Sequence, residues 1–192
     1  MTPVRRAFAA SLALAAALGA WPPVDAWAAG DTSDIVVHAR KDGATITVEV
    51  DCPVDAPRAV VWDVLTDYDH MAKFISNLQE SAIRMRMGDR LHVHQKGQAS
   101  RGPLTFPFES VREIELVPQS EIRSKMISGD TMPASFTTRI EAAGTKLHIV
   151  HTGTYTPSIW VPPVVGTALI EMETRKQYGE IRDEVLRRTG LK

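Results

Sequence analysis

The sequence predicts an α+β fold, one curved antiparallel sheet wrapped on a long C-terminal helix, and three observations carry that prediction. Residues 81–155 read as successive strands cut by Gly88-Asp89, Gly102-Pro103, Pro118-Gln119, Gly129-Asp130 and Ala143-Gly144, the spacing of an antiparallel meander. The longest helical pattern, Val164 to Arg188, follows all of them and stops at Gly190, a residue suited to a helix C-terminus. Strands gathered ahead of one long helix pack as a sheet on a helix. The chain has 192 residues, 44% of them hydrophobic, and a single cysteine, so a packed core rather than disulfides or a multi-cysteine zinc site must hold it together.

The N-terminal stretch stands apart from the fold. Arg5 and Arg6 precede an uncharged apolar run from Ala7 to Ala20, and Ala26-Trp27-Ala28 places small residues ahead of Ala29. That run is shorter than the roughly 20 residues a helix needs to cross a bilayer, so it reads as a signal peptide and not as an anchor. Residues 1–28 are the expected export signal for the periplasm, 29–34 a short polar linker, and 35–192 the folded domain.

Within the domain, Ile35 to Arg40 and Ala44 to Cys52 are β-rich runs joined by Lys41-Asp42-Gly43, a hairpin signal. Pro53 ends the second run. Asp55-Ala56-Pro57 opens a short helix with Asp55 as its expected N-cap, and Val60, Val61, Val64 and Leu65 recur at helical spacing beside Trp62. A second short helix is expected over Met71 to Ile75. On the strands, alternate residues share a face. Ile83, Met85 and Met87 fall on one side, as do Phe106 and Phe108; Ile122, Ser124, Met126 and Ser128; Phe136, Thr138 and Ile140; and Leu147, Ile149, His151 and Tyr155. The other side carries Arg84, Arg86, Arg123, Lys125, Arg139 and His148. Along the last helix, Ile170, Thr174, Tyr178, Ile181 and Val185 form the sheet-facing stripe. This dry face mixes large apolar residues with Ser, Thr and His. Parity alone suits a solid core as well as a pocket.

The segment from Pro57 to Ser81, Pro-Arg-Ala-Val-Val-Trp-Asp-Val-Leu-Thr-Asp-Tyr through Phe74 to a strand starting at Ser81, resembles the opening of START-like polyketide cyclase and lipid-transport domains, the SRPBCC superfamily. The resemblance is closest to the coenzyme Q-binding branch, and it covers nearly all of the exported chain. It implies the helix-grip fold: about seven strands gripping the C-terminal helix around a deep apolar cavity, with two short helices after the first strand. It also implies a lipid, quinone or polyketide-like ligand, and it turns the mixed face from core into pocket. The expected pocket residues are Met85, Phe106, Phe108, Met126, Phe136, Thr138, Ile149, His151, Tyr155, Ile170 and Thr174.

Pro157, Pro162 and Pro163 keep the segment before the last helix out of regular structure, and Trp160, Val161 and Val165 make it apolar. It is either a gate that touches a membrane or a lid over the open end of the sheet. His151 with Tyr155 is the one pair suited to acid–base work, as some relatives in this superfamily use pocket His, Arg or Tyr in that way. His92 and His94 point to one side of a strand, but no carboxylate or cysteine lies nearby in sequence to complete a metal site. Glu109, Glu113 and Glu115 read as a solvated face, and Cys52 as a buried, inert thiol. The net charge of -1 argues against nucleic-acid binding.

The expectation is therefore a periplasmic, monomeric binding or carrier protein for a hydrophobic small molecule, needing no cofactor and no metal, with transient membrane contact during exchange. A polyketide cyclase or dehydratase using His151 and Tyr155 is the alternative. A protein-interaction module with a filled core is the third reading. N-terminal sequencing of the native protein should find a start at or near Ala29; an intact Met1 would refute the export reading.

Overall fold

The computed structural model describes residues 31–101, 104–157 and 165–190. Gly43, at φ 57°, turns the chain between β1 (Val36–Asp42) and β2 (Thr45–Val54), the conformation an Asp-Gly hairpin needs. Pro57 is itself the residue flanking α1 (Arg58–Leu65), with extended backbone and a carbonyl that accepts from the N–H groups of Val60 and Val61 at 2.9 and 3.2 Å. No side chain caps this helix, so the cap assigned to Asp55 is not there. The second helical segment is a 3-10 helix over Tyr68–Lys73, earlier than the sequence suggested. Its N-terminal side is braced by Asp67, which accepts from His70 Nδ1 at 2.7 Å and from Arg188 at 2.7 Å.

Six more strands follow: β3 (Leu78–Met87), β4 (Arg90–Arg101), β5 (Leu104–Val117), β6 (Glu121–Gly129), β7 (Thr131–Ala143) and β8 (Lys146–Pro157). The chain ends in α2 (Val165–Thr189). All strands lie in one antiparallel sheet of order β1-β2-β8-β7-β6-β5-β4-β3. Eight strands thus stand where the resemblance implied about seven, because the Asp42-Gly43 hairpin adds β1 outside β2; for the same reason the two short helical segments follow the second strand and not the first. They carry the chain from β2 to the far edge at β3, and β8 returns beside β2 to close the topology.

The core lies where α1, the 3-10 helix and α2 meet the sheet. Ile35, Val37, Ile46, Val50, Val54, Val61, Val64, Leu91, Val93, Ile114, Ile149 and Val185 are buried there. Asp31–Asp34 is not a free linker. Arg182 of α2, itself buried, donates to Asp34 Oδ1 at 2.7 Å and to the Asp31 carbonyl, and Thr32 lies where a Gly179 side chain would be. Arg58 ties α1 to the sheet by donating to the carbonyls of Gln119 at 3.0 Å and Ile140 at 2.6 Å.

Two irregularities matter for the site. The β3–β4 register slips between Ile83 and Met85, and the β5–β6 register slips after Val111. Each inserted residue reverses which face the following side chains occupy. Met85, expected in the pocket, is therefore 47% exposed and paired with His92, and Met87 is turned out with it.

Gly97 shows how closely the sheet is packed at the start of β3. A Cβ there would stand 2.1 Å from the Asn77 carbonyl oxygen and 2.7 Å from Phe108 Cζ. Gly97→Ala should lower stability by about 1–3 kcal/mol in urea unfolding, since a backbone oxygen cannot step aside; a gain of stability, as at an unstrained strand glycine, would show that the contact is soft.

Candidate functional site

Sheet parity brings one row of side chains from each of β4 to β8 toward α2. The inward residues are Leu91, Val93, Gln95 and Gly97 on β4, Phe108, Arg112 and Ile114 on β5, Ile122, Ser124 and Met126 on β6, Phe136, Thr138 and Ile140 on β7, and Ile149, His151, Gly153 and Tyr155 on β8. From the opposite side α2 presents Ile170, Thr174, Gln177, Tyr178 and Ile181. Between them is a cavity of about 250 Å³, closed below by Val48, Leu65, Tyr68, Met71 and Ile75.

Of the eleven pocket residues expected from sequence, Phe136, Thr138, His151, Tyr155, Ile170 and Thr174 line this cavity. Met85 is on the outside, for the reason given above. Ile149 is fully buried in the core beside Cys52 and Ile140, and Met126 is buried opposite Arg112, so neither lies on the cavity wall. Phe108 is half-buried against Gly97 and the core. Trp160, Val161 and the side chains of Phe106 and Val165 lie outside the described residues.

The polar wall holds two residues that the sequence reading left unassigned. Gln95 donates from Nε2 to Ser81 Oγ at 3.0 Å and to Met71 Sδ at 3.5 Å, which points its amide oxygen at Arg112; Arg112 Nη2 donates to that oxygen. Arg112 Nε and Ser124 Oγ are buried and have no hydrogen-bond partner among the described residues. Burial pulls the Arg112 guanidinium below its usual value. Both residues were within reach of parity: Gln95 alternates with Leu91 and Val93, and Arg112 with Phe108 and Ile114. A charged residue is an unusual choice for a dry face, and Glu109, Glu113 and Glu115 alternate with Arg112 on the other side of the same strand.

His151 sits at the centre of the aromatic wall. Its ring stacks on Phe136 with centroids 5.6 Å apart and leans on Tyr178 at 5.6 Å, while Nδ1 shares a 2.9 Å hydrogen bond with Thr138 Oγ1. Gly153 makes room for Phe136, since a Cβ there would lie 2.1 Å from Phe136 Cδ1. Burial, with the Arg112 charge adding to it, pushes the His151 pKa down to about 4. Burial pushes Tyr155 up to about 12. At neutral pH the imidazole is therefore neutral and the phenol protonated. Both values lie away from neutral pH, the imidazole below it and the phenol above it.

On the outer face both histidines of β4 have partners distant in sequence. His94 is bracketed by Glu80 Oε1 at 3.2 Å from Nδ1 and by Glu109 Oε1 at 2.8 Å from Nε2. His92 approaches Glu113 at 3.7 Å. Carboxylates distant in sequence thus do reach both histidines across the sheet, although no group that could hold a metal ion is found among the described residues. A larger hollow of about 650 Å³ lies outside the sheet, walled by Glu113, Glu115, Arg123, Lys125 and a row of threonines. Its charged rim, with Arg123 and Glu115 paired at 3.1 Å, suits solvent better than an apolar ligand. Cys52 is buried, with its thiol pushed up to about 12, so it is no nucleophile.

The family model described as polyketide cyclase/dehydrase and lipid transport matches residues 54–179. No curated protein matches the chain. Among solved structures, the Zhui aromatase/cyclase from Streptomyces sp. R1128 is similar with a TM-score of 0.63 at 15% identity, over 76% of this chain and 96% of that one. A STAR-related lipid transfer protein fragment from Xanthomonas axonopodis gives 0.63 at 10% identity, over 81% and 95%. A START superfamily protein from Mycobacterium smegmatis gives 0.61 at 11% identity, over 73% and 97%. At such identities the likeness is one of fold.

The depressed His151 pKa has a consequence for acid stability. As pH falls below the ordinary histidine value of 6.5, the unfolded chain takes up the proton first, and the folded chain follows only near 4. Stability is thus intact above about pH 6.5 and declines as pH falls toward 4, by up to roughly 3 kcal/mol from this group. His151→Gln should flatten that decline in urea midpoints measured across the same range; an equal decline in the variant would place the sensitivity elsewhere.

Proposed function

The chain belongs to the polyketide cyclase/dehydrase and lipid transport family, and from that membership we propose that it is a binding or carrier protein, without catalysis, for a hydrophobic small molecule held between α2 and the sheet. The observation that carries this reading is the cavity itself. Its wall mixes the apolar side chains of Leu65, Ile114, Ile122 and Phe136 with convergent polar groups from Arg112, Thr138 and His151, and its two candidate proton-transfer groups are displaced in opposite directions from neutral pH. Those displacements speak against the cyclase alternative. A volume of about 250 Å³ is slightly below the roughly 300–1,000 Å³ of pockets for drug-sized ligands. The ligand is then a compact ring system or a medium-length chain, and the resemblance to coenzyme Q-binding proteins adds quinone-like rings to that class.

Export to the periplasm belongs to the same proposal. It rests on Arg5, Arg6, the Ala7 to Ala20 run and Ala26-Trp27-Ala28. Among the described residues no helix is long and apolar enough to cross a membrane. A protein that carries apolar cargo through an aqueous compartment needs such a signal and such a cavity, and a brief membrane contact would load it.

Native mass spectrometry of the protein purified from its own periplasm should show a co-purifying apolar molecule. Phe136→Ala should weaken retention of that molecule with little loss of stability. If Phe136 is part of a filled core, the same change should instead cost about 3–5 kcal/mol and retain nothing, which would favour the interaction-module reading.

A further inference from the structure

We propose that the ligand is an anionic amphiphile whose carboxylate or phosphate oxygens are received by Arg112, with the Ser124 hydroxyl donating beside it. The proposal rests on the carrier reading and names the chemistry of its cargo. A guanidinium keeps its charge under any ordinary condition, so enclosing it requires a compensating partner. None of the described residues lining the cavity is an Asp or Glu. Gln95 satisfies one Arg112 nitrogen, but an amide oxygen carries no charge, and its orientation is already fixed by Ser81 and Met71. The aromatic hydroxyls nearest in electrostatic terms, Tyr68 and Tyr178, are held protonated by burial, and His151 is held neutral. Among the described residues the cavity therefore presents one uncompensated positive charge.

The second observation is independent of charge. Arg112 Nε and Ser124 Oγ are both buried without partners, on neighbouring strands where Arg112 faces Met126 and Ser124 faces Ile114, so the two polar groups are diagonal neighbours on the inner face. Buried polar groups are normally satisfied, and a pair of adjacent exceptions marks the place of a missing acceptor. An oxyanion with two or three oxygens satisfies both at once through charge-assisted hydrogen bonds. Leu65, Ile114, Ile122 and Ile170 then supply the apolar surface for the rest of the molecule. Medium-length organic acids and monoalkyl phosphates fit this description and narrow the ligand class given above; its neutral members, quinone-like rings among them, do not.

Delipidated full-length protein would be titrated calorimetrically at pH 8 with decanoate, decyl phosphate and 1-decanol, for the wild type, Arg112→Gln and Arg112→Lys. The wild type should bind at least one of the two anions ten or more times more tightly than the alcohol, and the tighter anion tells carboxylate from phosphate. Arg112→Gln should bring all three to similar affinity, and Arg112→Lys should keep part of the preference. Circular dichroism establishes that each variant is folded. Should Arg112→Gln fail to fold, the wild type alone decides: decanoate affinity must fall as pH drops through the range in which the carboxylate protonates, while decanol affinity stays level. Decanol bound as tightly as the anions by the wild type would overturn the proposal and leave the carrier reading standing. An anion preference that survives in folded Arg112→Gln would do the same. Failure of all three probes to bind the wild type would count against both.

Discussion

The architecture turns on how α2 is seated. It packs closely against β1, β2 and α1, where Tyr178, Ile181 and Val185 are buried, and Arg182 fastens the chain's first described residues to the same place. From there Tyr178 reaches across to His151 of β8, with ring centroids 5.6 Å apart. The first turns of α2, with Ile170 and Thr174, face Ile122 and Phe136 across open space.

The lining of that space is unevenly distributed in its chemistry. Toward α1 and the 3-10 helix it is aliphatic, with Leu65, Met71 and Ile75; toward β5, β7 and β8 it carries Arg112, Thr138 and His151. The Ser81, Gln95 and Arg112 chain runs across three strands on the inner face, each member set by sheet register and not by local sequence. A hydrogen-bonded row of this kind costs desolvation energy in the absence of a ligand and is rigid enough to orient one. Specificity in such a site comes from the polar row, while the apolar remainder contributes affinity by area.

The same enclosure quiets the groups that look reactive on paper. His151, Tyr155 and Cys52 all have their neutral forms favoured, because desolvation penalises charge on each of them. The groups whose charged forms are favoured, such as Glu121 beside Arg139 and Glu184 beside Arg187, are paired with arginines and do not line the cavity. At neutral pH the interior therefore meets a ligand with shape and with the hydrogen bonds of neutral groups.

Much of this was legible in the residues. Turn dipeptides placed the strand boundaries, helical spacing named the stripe Ile170, Thr174, Tyr178, Ile181 and Val185, and strict alternation assigned Phe136, Thr138, His151 and Tyr155 to the inner face. These are properties of a chain with a fixed period, and the period is a local quantity. What the sequence did not determine is where that period slips. The register shifts after Ile83 and Val111 arise from how neighbouring strands meet, and the first of them puts Met85 outside. Nor could it reveal that Arg112 is enclosed without a carboxylate or that Glu80 and Glu109 bracket His94, since charge compensation depends on which strands lie side by side. Local sequence determined the elements and their faces; the tertiary structure alone decided the cavity and its charge, because both are made of distances between strands far apart in the chain.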